Sequence, residues 1–212
     1  MVYLNGKNEK DYCANFIHWE CTVPTVQEER VVIPLRDGFV NLTQTLSPNL
    51  KFNSRTITIG LELRSFRSEW PMYHSQIMRD IHGKEVKVAR SDDPDYYFVG
   101  VASVGQIDDH GSTAGVTITI DAQPFKRTEA WVENTAFTVS GAYTHSIDNE
   151  FMRGYPVFDC ATTGITVTLG GETWTLPVGE SEAYGMVLPE GQSDLVFAGS
   201  GSVDFRWRGG IL

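Results

Sequence analysis

Basic side chains are scarce in this sequence. Lys and Arg number 17 against 27 Asp and Glu, a formal net charge of −10 over 212 residues. Nucleic-acid binding draws most of its affinity from neutralising phosphates with Lys and Arg. A chain with this deficit and no long basic run is therefore expected to have no sequence-specific nucleic-acid site, and to avoid anionic membrane surfaces. Long apolar runs are missing too. The longest, such as Tyr96–Val104, fall far short of the roughly 20 residues of a spanning helix, so no membrane insertion is expected. No apolar signal-peptide core follows Met1, and the expectation is a chain made in a cytoplasm. Cysteine is rare: Cys13, Cys21 and Cys160 cannot all pair with one another. Without an export signal they are read as reduced thiols packing as small hydrophobes.

Catalytic signatures are missing as well. There is no GxxxxGK[ST] loop, no GxSxG elbow and no HExxH pair. Gly199–Gly201 is too short for a dinucleotide loop and lies between strand signals, where such a site needs a helix. Cys13 and Cys21 lack the spacing of a zinc knuckle or redox pair. His74 and His82 stand eight apart, two helical turns, too far to share a metal. The acidic run Asp92, Asp93, Asp95 lacks the glycine and distant glutamate of a calcium loop, and turn formation accounts for it. Asp108–Gly111 reads the same way, as a polar hairpin tip. No catalytic residue, cofactor site or metal site is expected.

What is present is β-structure. Hydrophobic residues make up 41% and aromatics 11%, enough to build a core. Thr56–Arg64 places Ile57, Ile59, Leu61 and Leu63 on one face at period two, a half-buried strand. Lys84–Ala89 and Tyr96–Val104 read as a hairpin closed by Arg90–Asp95, where Pro94 breaks the ladder. Gly115–Gln123 is a fourth strong strand. Glu28–Leu35 and Phe39–Leu46 read as strands joined at Asp37–Gly38, with Ser47–Asn53 a loop. One helix is expected at about 69–82: Tyr73, Ile77, Met78 and Ile81 share a face, Ser68 is a cap, Pro71 lies in the first turn and Gly83 is the stop.

Beyond Ala136 the helical period disappears. Short strands are expected at Phe137–Val139, Pro156–Asp159, Ile165–Leu169, Glu172–Leu176, Met186–Leu188, Asp194–Ala198 and Ser202–Arg208. Turns are expected at Gly170–Gly171, Pro177–Gly179, Glu190–Gly191 and Gly199–Gly201. This spacing suggests a β-sandwich. The sequence thus divides into two domains, 1–135 and 136–212.

Trp174 and Trp207 on that sandwich have two readings: a sugar-stacking platform, or core and interface aromatics. A carboxylate pair of a hydrolase, for example Glu62 with a second glutamate, has no spacing to single it out.

The run Ser54–Arg64 (SRTITIGLELR), the helix led by Trp70, the hairpin Lys84–Val104 with its Asp-Asp-Pro turn, and Val116–Phe125 ending in Gln-Pro-Phe together resemble the distal tail protein of long-tailed siphophages. Tyr155–Val157, the Gly170–Gly171 hairpin, the Leu188–Gly191 turn and the closing Gly199–Leu212 are similar to that family's galectin-like sandwich. The resemblance implies a mainly β fold: an N-terminal split-barrel-like "belt" domain with one crossover helix, then a C-terminal galectin-like β-sandwich. It implies a virion structural protein at the phage tail tip, assembled in the host cytoplasm, and not an enzyme. The implied partners are further copies of itself in a homohexameric ring, the tail tube protein, the tail-tip hub or tail-associated protein and a receptor-binding protein. The alternative is a carbohydrate-binding sandwich protein that uses Trp174 or Trp207.

Overall fold

In the computed structural model, which describes residues 1–28, 30–31, 37–38, 40–41, 50–183 and 185–212, the chain forms two compact units, Met1–Lys126 and Arg127–Leu212. The sequence reading draws its boundary at 135/136.

The first unit holds β1 (Val2–Leu4), β2 (Lys7–Asn8), β3 (Ala14–Cys21), β4 (Arg30–Val31), β5 (Val40–Asn41), β6 (Arg55–Leu63), α1 (Trp70–Ile81), β7 (Glu85–Arg90), β8 (Asp93–Asp109) and β9 (Ala114–Ala122); β10 (Lys126–Thr128) follows. Its main sheet is antiparallel, in the order β2-β1-β7-β8-β9-β6-β3. Period-two patterning sets the register. Ile57, Ile59, Leu61 and Leu63 of β6 stand beside Ile120, Ile118, Val116 and Ala114 of β9, all buried. A one-residue slip would turn this whole row to solvent. At roughly 1.5–3 kcal/mol for each large side chain, that row holds the sheet in place.

Two local expectations change. The β7–β8 turn is tighter than Arg90–Asp95, because Arg90 already pairs with Asp93; Pro94 lies within β8, just past a register shift where its missing N–H breaks no regular ladder. β8 also runs on to Asp109, through an irregularity between Val104 and Ile107. β4 and β5 pair as a short ladder with Gly38 at φ +83 between them. The remainder of the expected strands Glu28–Leu35 and Phe39–Leu46, and the first part of the Ser47–Asn53 loop, lie outside the described residues.

The helix spans Trp70–Ile81 and buries Trp70, Ile77 and Ile81. Pro71 occupies the first turn, and Gly83 ends the helix at φ +70. Ser68 does not cap it: Glu69 is the N-cap residue, with no side-chain bond to the first turn. Histidines fasten α1 to β8. His74 Nε2 bonds Gly105 O at 2.8 Å, and Val104 N–H donates to His82 Nδ1 at 3.0 Å.

The second unit contains β11 (Glu133–Cys160), β12 (Thr166–Leu169), β13 (Glu172–Thr175), β14 (Gly179–Glu182) and β15 (Leu188–Ile211). The expected strands Phe137–Val139 and Pro156–Asp159 are both parts of β11, and Asp194–Ala198 and Ser202–Arg208 are both parts of β15. Gly199–Gly201 is therefore no chain reversal. Gly199 pairs with Gly141, and these glycines, at φ +125 and +84, sit where paired long strands pass from one sheet to the next.

Val203–Trp207 is flanked on one side by Glu133–Phe137 and on the other by Pro156–Cys160, whose outer neighbour is β14. Val196–Ala198 is flanked by Ala142–Thr144 and β12, whose outer neighbour is β13. Phe205, Trp207 and Phe158 of the first layer meet Leu195, Phe197 and Val167 of the second in one buried cluster. The unit is a β-sandwich whose two layers share their long strands. Gly170–Gly171 makes the expected two-residue hairpin, both at positive φ. Three details differ from expectation: β14 follows the Pro177–Gly179 turn where no strand is expected, the Glu190–Gly191 turn lies inside β15, and of Met186–Leu188 only Leu188 enters a strand.

Candidate functional site

Trp207 and Trp174 occupy different layers of the sandwich. Trp207 is 1% exposed, edge-on to Phe151 at 6.2 Å, and its Nε1–H donates to Glu133 Oε2 at 3.2 Å. A ring enclosed in this way has no face for a sugar, so Trp207 is a core residue and not half of a platform. Trp174 lies opposite Val167 on the outer strand β13, half-buried against the same core. The structure does not bring the two together.

It assembles instead a group that the sequence does not single out. Glu133 accepts from Trp207 through one oxygen; its other oxygen bonds His145 Nε2 at 2.7 Å and accepts from Thr135 Oγ1 at 3.0 Å. Phe137 stacks on His145 at 5.6 Å and tilts against Tyr143 at 4.7 Å. These residues all have odd numbers in β11, so the pleat sends them to the inner face. The signal in the sequence is that parity, and it emerges only once β11 is seen as one continuous strand. On the outer face, Arg206 and Arg208 lie 4.9 and 3.9 Å from the Trp131 ring, and Arg208 Nη1 donates to Thr128 O. Arg206 pairs with Glu180, and Arg127 with Glu182 at 3.0 Å.

Three carboxylates of the acidic turns, Asp92, Asp93 and Asp109, are paired within the chain. Asp92 pairs with Arg90, and Asp93 pairs with Lys126 at 2.7 Å. At the β8–β9 tip, Asp109 pairs with Arg67 and accepts from Gly111 N–H at 2.8 Å, an Asx turn. Glu62 pairs with Arg64 at 3.3 Å. Among the described residues no three His, Cys, Asp or Glu side chains are grouped to hold a metal ion.

Two shifted titratable groups, Asp80 and Tyr12, fasten the start of the chain to α1. Asp80 takes a 2.7 Å ion pair from Lys7 and a hydrogen bond from the Tyr12 hydroxyl at 3.3 Å. The Lys7 ammonium holds the Asp80 carboxyl below its ordinary range. Burial, helped by the Asp80 charge, pushes the Tyr12 phenol up to about 12. Burial likewise raises the Tyr155 phenol and the Cys160 thiol. All three cysteines are free.

Among the described residues the first unit also has an open flank. β3 pairs with β6 on one side, and its ladder breaks at Ile17, between Phe16 and His18. Ile17 is 60% exposed there, and Val23 just beyond the strand is 85% exposed.

No family model and no curated protein sequence matches the chain. Solved structures do. The crystal structure of the SPP1 Dit (gp 19.1) protein, described as a paradigm of the hub adsorption apparatus in Gram-positive infecting phages, aligns over 100% of this chain and 98% of that one, with a TM-score of 0.60 at 14% identity. The phage p2 baseplate in its activated conformation with Sr aligns over 92% of this chain and 90% of that one, with a TM-score of 0.49 at 9% identity. Along its whole length, this chain has the mainly β fold of the SPP1 Dit protein.

Proposed function

We propose that this chain is a structural subunit of a phage tail tip, a distal tail protein of the Dit type, and that its work is assembly and not catalysis. The observation that carries the reading is the match to SPP1 Dit over both units, from the first strand of the N-terminal sheet to the last strand of the sandwich. In this reading the N-terminal belt region, 1–135, closes a homohexameric ring, and the region 136–212 is a galectin-like sandwich facing outward. The ring joins the tail tube protein to the tail-tip hub and, through it, to a receptor-binding protein. The virion is where the protein resides.

Two features support a ring. Head-to-tail contacts that close on themselves require different surfaces on the two sides of each subunit. The open β3 flank, with Ile17 and Val23 bare, is such a surface on the first unit. Asp92, Asp93 and Asp109, at the acidic turns and tips, pair with cations of the same chain and leave a polar surface of mixed charge around that flank's unit.

Light scattering on a size-exclusion column, over a range of concentrations, tests the reading. A species near six times 23.6 kDa is expected, alone or on adding the tail tube or hub protein. A chain that stays monomeric with both partners present would refute it.

A further inference from the structure

The core-facing row of β6 begins with a guanidinium: Arg55 precedes Ile57, Ile59, Leu61 and Leu63 on the same face. Arg55 is 7% exposed, yet no carboxylate pairs with it among the described residues. Its Nη1 donates to Cys21 Sγ at 3.6 Å, and its Nε and Nη2 have no hydrogen-bond partner. Its Cζ lies 5.1 Å from the centre of the Phe98 ring. Phe98 stands 6.4 Å from Trp19, and Arg90 lies 5.0 Å beyond on the Trp19 ring. Two guanidiniums thus bracket two aromatic rings, and Asp92 serves Arg90 while Asp93 serves Lys126.

Arginine cannot shed its charge in a protein. A thiol sulfur and a ring face are weak substitutes for an ionised acceptor, and a buried charge without one is strongly destabilising. A methionine or leucine here would continue the apolar row at no such cost. Trp19, Cys21 and Phe98 are only half-buried, so this end of the core is incompletely closed. Trp19 and Cys21 belong to β3, the strand on the open flank.

We propose that the Arg55 end of the first unit's core is a socket for a carboxylate from a second copy of this chain. A carboxylate matches the guanidinium fork in two parallel hydrogen bonds, and Nε and Nη2 are the pair left open for it. A rotamer change brings the fork to the half-buried rim, a shift of the size common at interfaces. Charge complementarity selects the partner: copies of a chain with 27 acidic and 17 basic residues meet this site with carboxylates in excess. The identity of the partner rests on the ring reading above; the socket itself does not.

Sedimentation equilibrium and thermal unfolding of the full chain and of Arg55→Met test the proposal. Arg55→Met is expected to self-associate at least tenfold more weakly and to unfold at the same temperature or higher. Unchanged association, or a lower unfolding temperature with unchanged association, overturns the proposal and makes Arg55 a structural residue. If the native chain stays monomeric, or if the variant does not fold, the Arg55 Nε–H resonance of the native chain decides. A saturable shift with sodium acetate, absent with sodium chloride at equal ionic strength, upholds the socket; equal responses to both salts overturn it. Monomer with a saturable shift would mean that the ring reading fails and the socket stands.

Discussion

Replacing Gly199 by alanine tests how the second unit is built. At φ +125 an L-residue is strained by about 1–3 kcal/mol. The added Cβ would also lie 2.9 Å from Gly164 O and 3.2 Å from Ile165 Cα, both backbone atoms. That backbone has little room to retreat: Ile165 is fully buried, and its carbonyl accepts from Leu176 N–H at 2.9 Å. Strain and displacement together should cost about 2–4 kcal/mol, which for a unit of this size is a loss of roughly 10–20 °C in Tm. Gly170→Ala is the control. Gly170 also has positive φ, but nothing stands within 4 Å of its would-be Cβ, so only about 1–2 kcal/mol of left-handed strain applies. Differential scanning calorimetry of the two variants beside the native chain reads the difference directly. If Gly199→Ala loses no more than Gly170→Ala, the close approach at the bend does not govern how β11 and β15 cross between layers, and the reasoning fails.

Other outcomes follow from single contacts. Tyr12 ionises near 10 when unfolded and at about 12 when folded, so the stability it lends is complete below pH 10 and is lost as pH rises toward 12, by roughly 2–3 kcal/mol; urea midpoints across that interval, with phenolate absorbance, check it. Asp80 has the opposite sign: its depressed pKa contributes stability above the ordinary carboxylate range that disappears in acid. Asp80→Asn should remove that acid slope while costing about 1 kcal/mol or less at neutral pH, because Lys7 is half exposed; urea midpoints of the two proteins in acid and at neutrality check it. Asn149 is 1% exposed; its amide donates to Leu188 O and Pro189 O, and its Oδ1 accepts from Phe151 N–H. Asn149→Ala should cost about 2–4 kcal/mol, at about 1 kcal/mol for each bond lost plus the unpaired buried groups, and chemical denaturation followed by Trp fluorescence measures it.

Much of the fold is legible in local pattern. The alternating isoleucines and leucines of β6 demand one buried face, the Pro71-to-Gly83 span brackets a helix with an apolar side, and Gly170–Gly171 can close only a tight hairpin. Each of these is settled within a few residues by backbone sterics or by one-sided burial, so the sequence states them outright. The order of such elements also carries the likeness to siphophage distal tail proteins, and the chain does have the fold of SPP1 Dit.

What the tertiary structure decided are the matters that depend on residues distant in sequence. Gly199–Gly201 has the composition of a turn, and only the ladder with β11 makes it a bend within one strand, because hydrogen bonds to Val139–Gly141 carry the chain through it. Trp207 suits a sugar platform as well as a core on its own local pattern; Glu133, in another arm of the sandwich, takes its N–H and the second layer covers its ring. Arg55 likewise looks like the polar start of a strand. Its burial against Phe98 of β8 and Cys21 of β3, with no carboxylate among the described residues, depends on strands distant in sequence, and no local pattern records which charges long-range packing will leave alone.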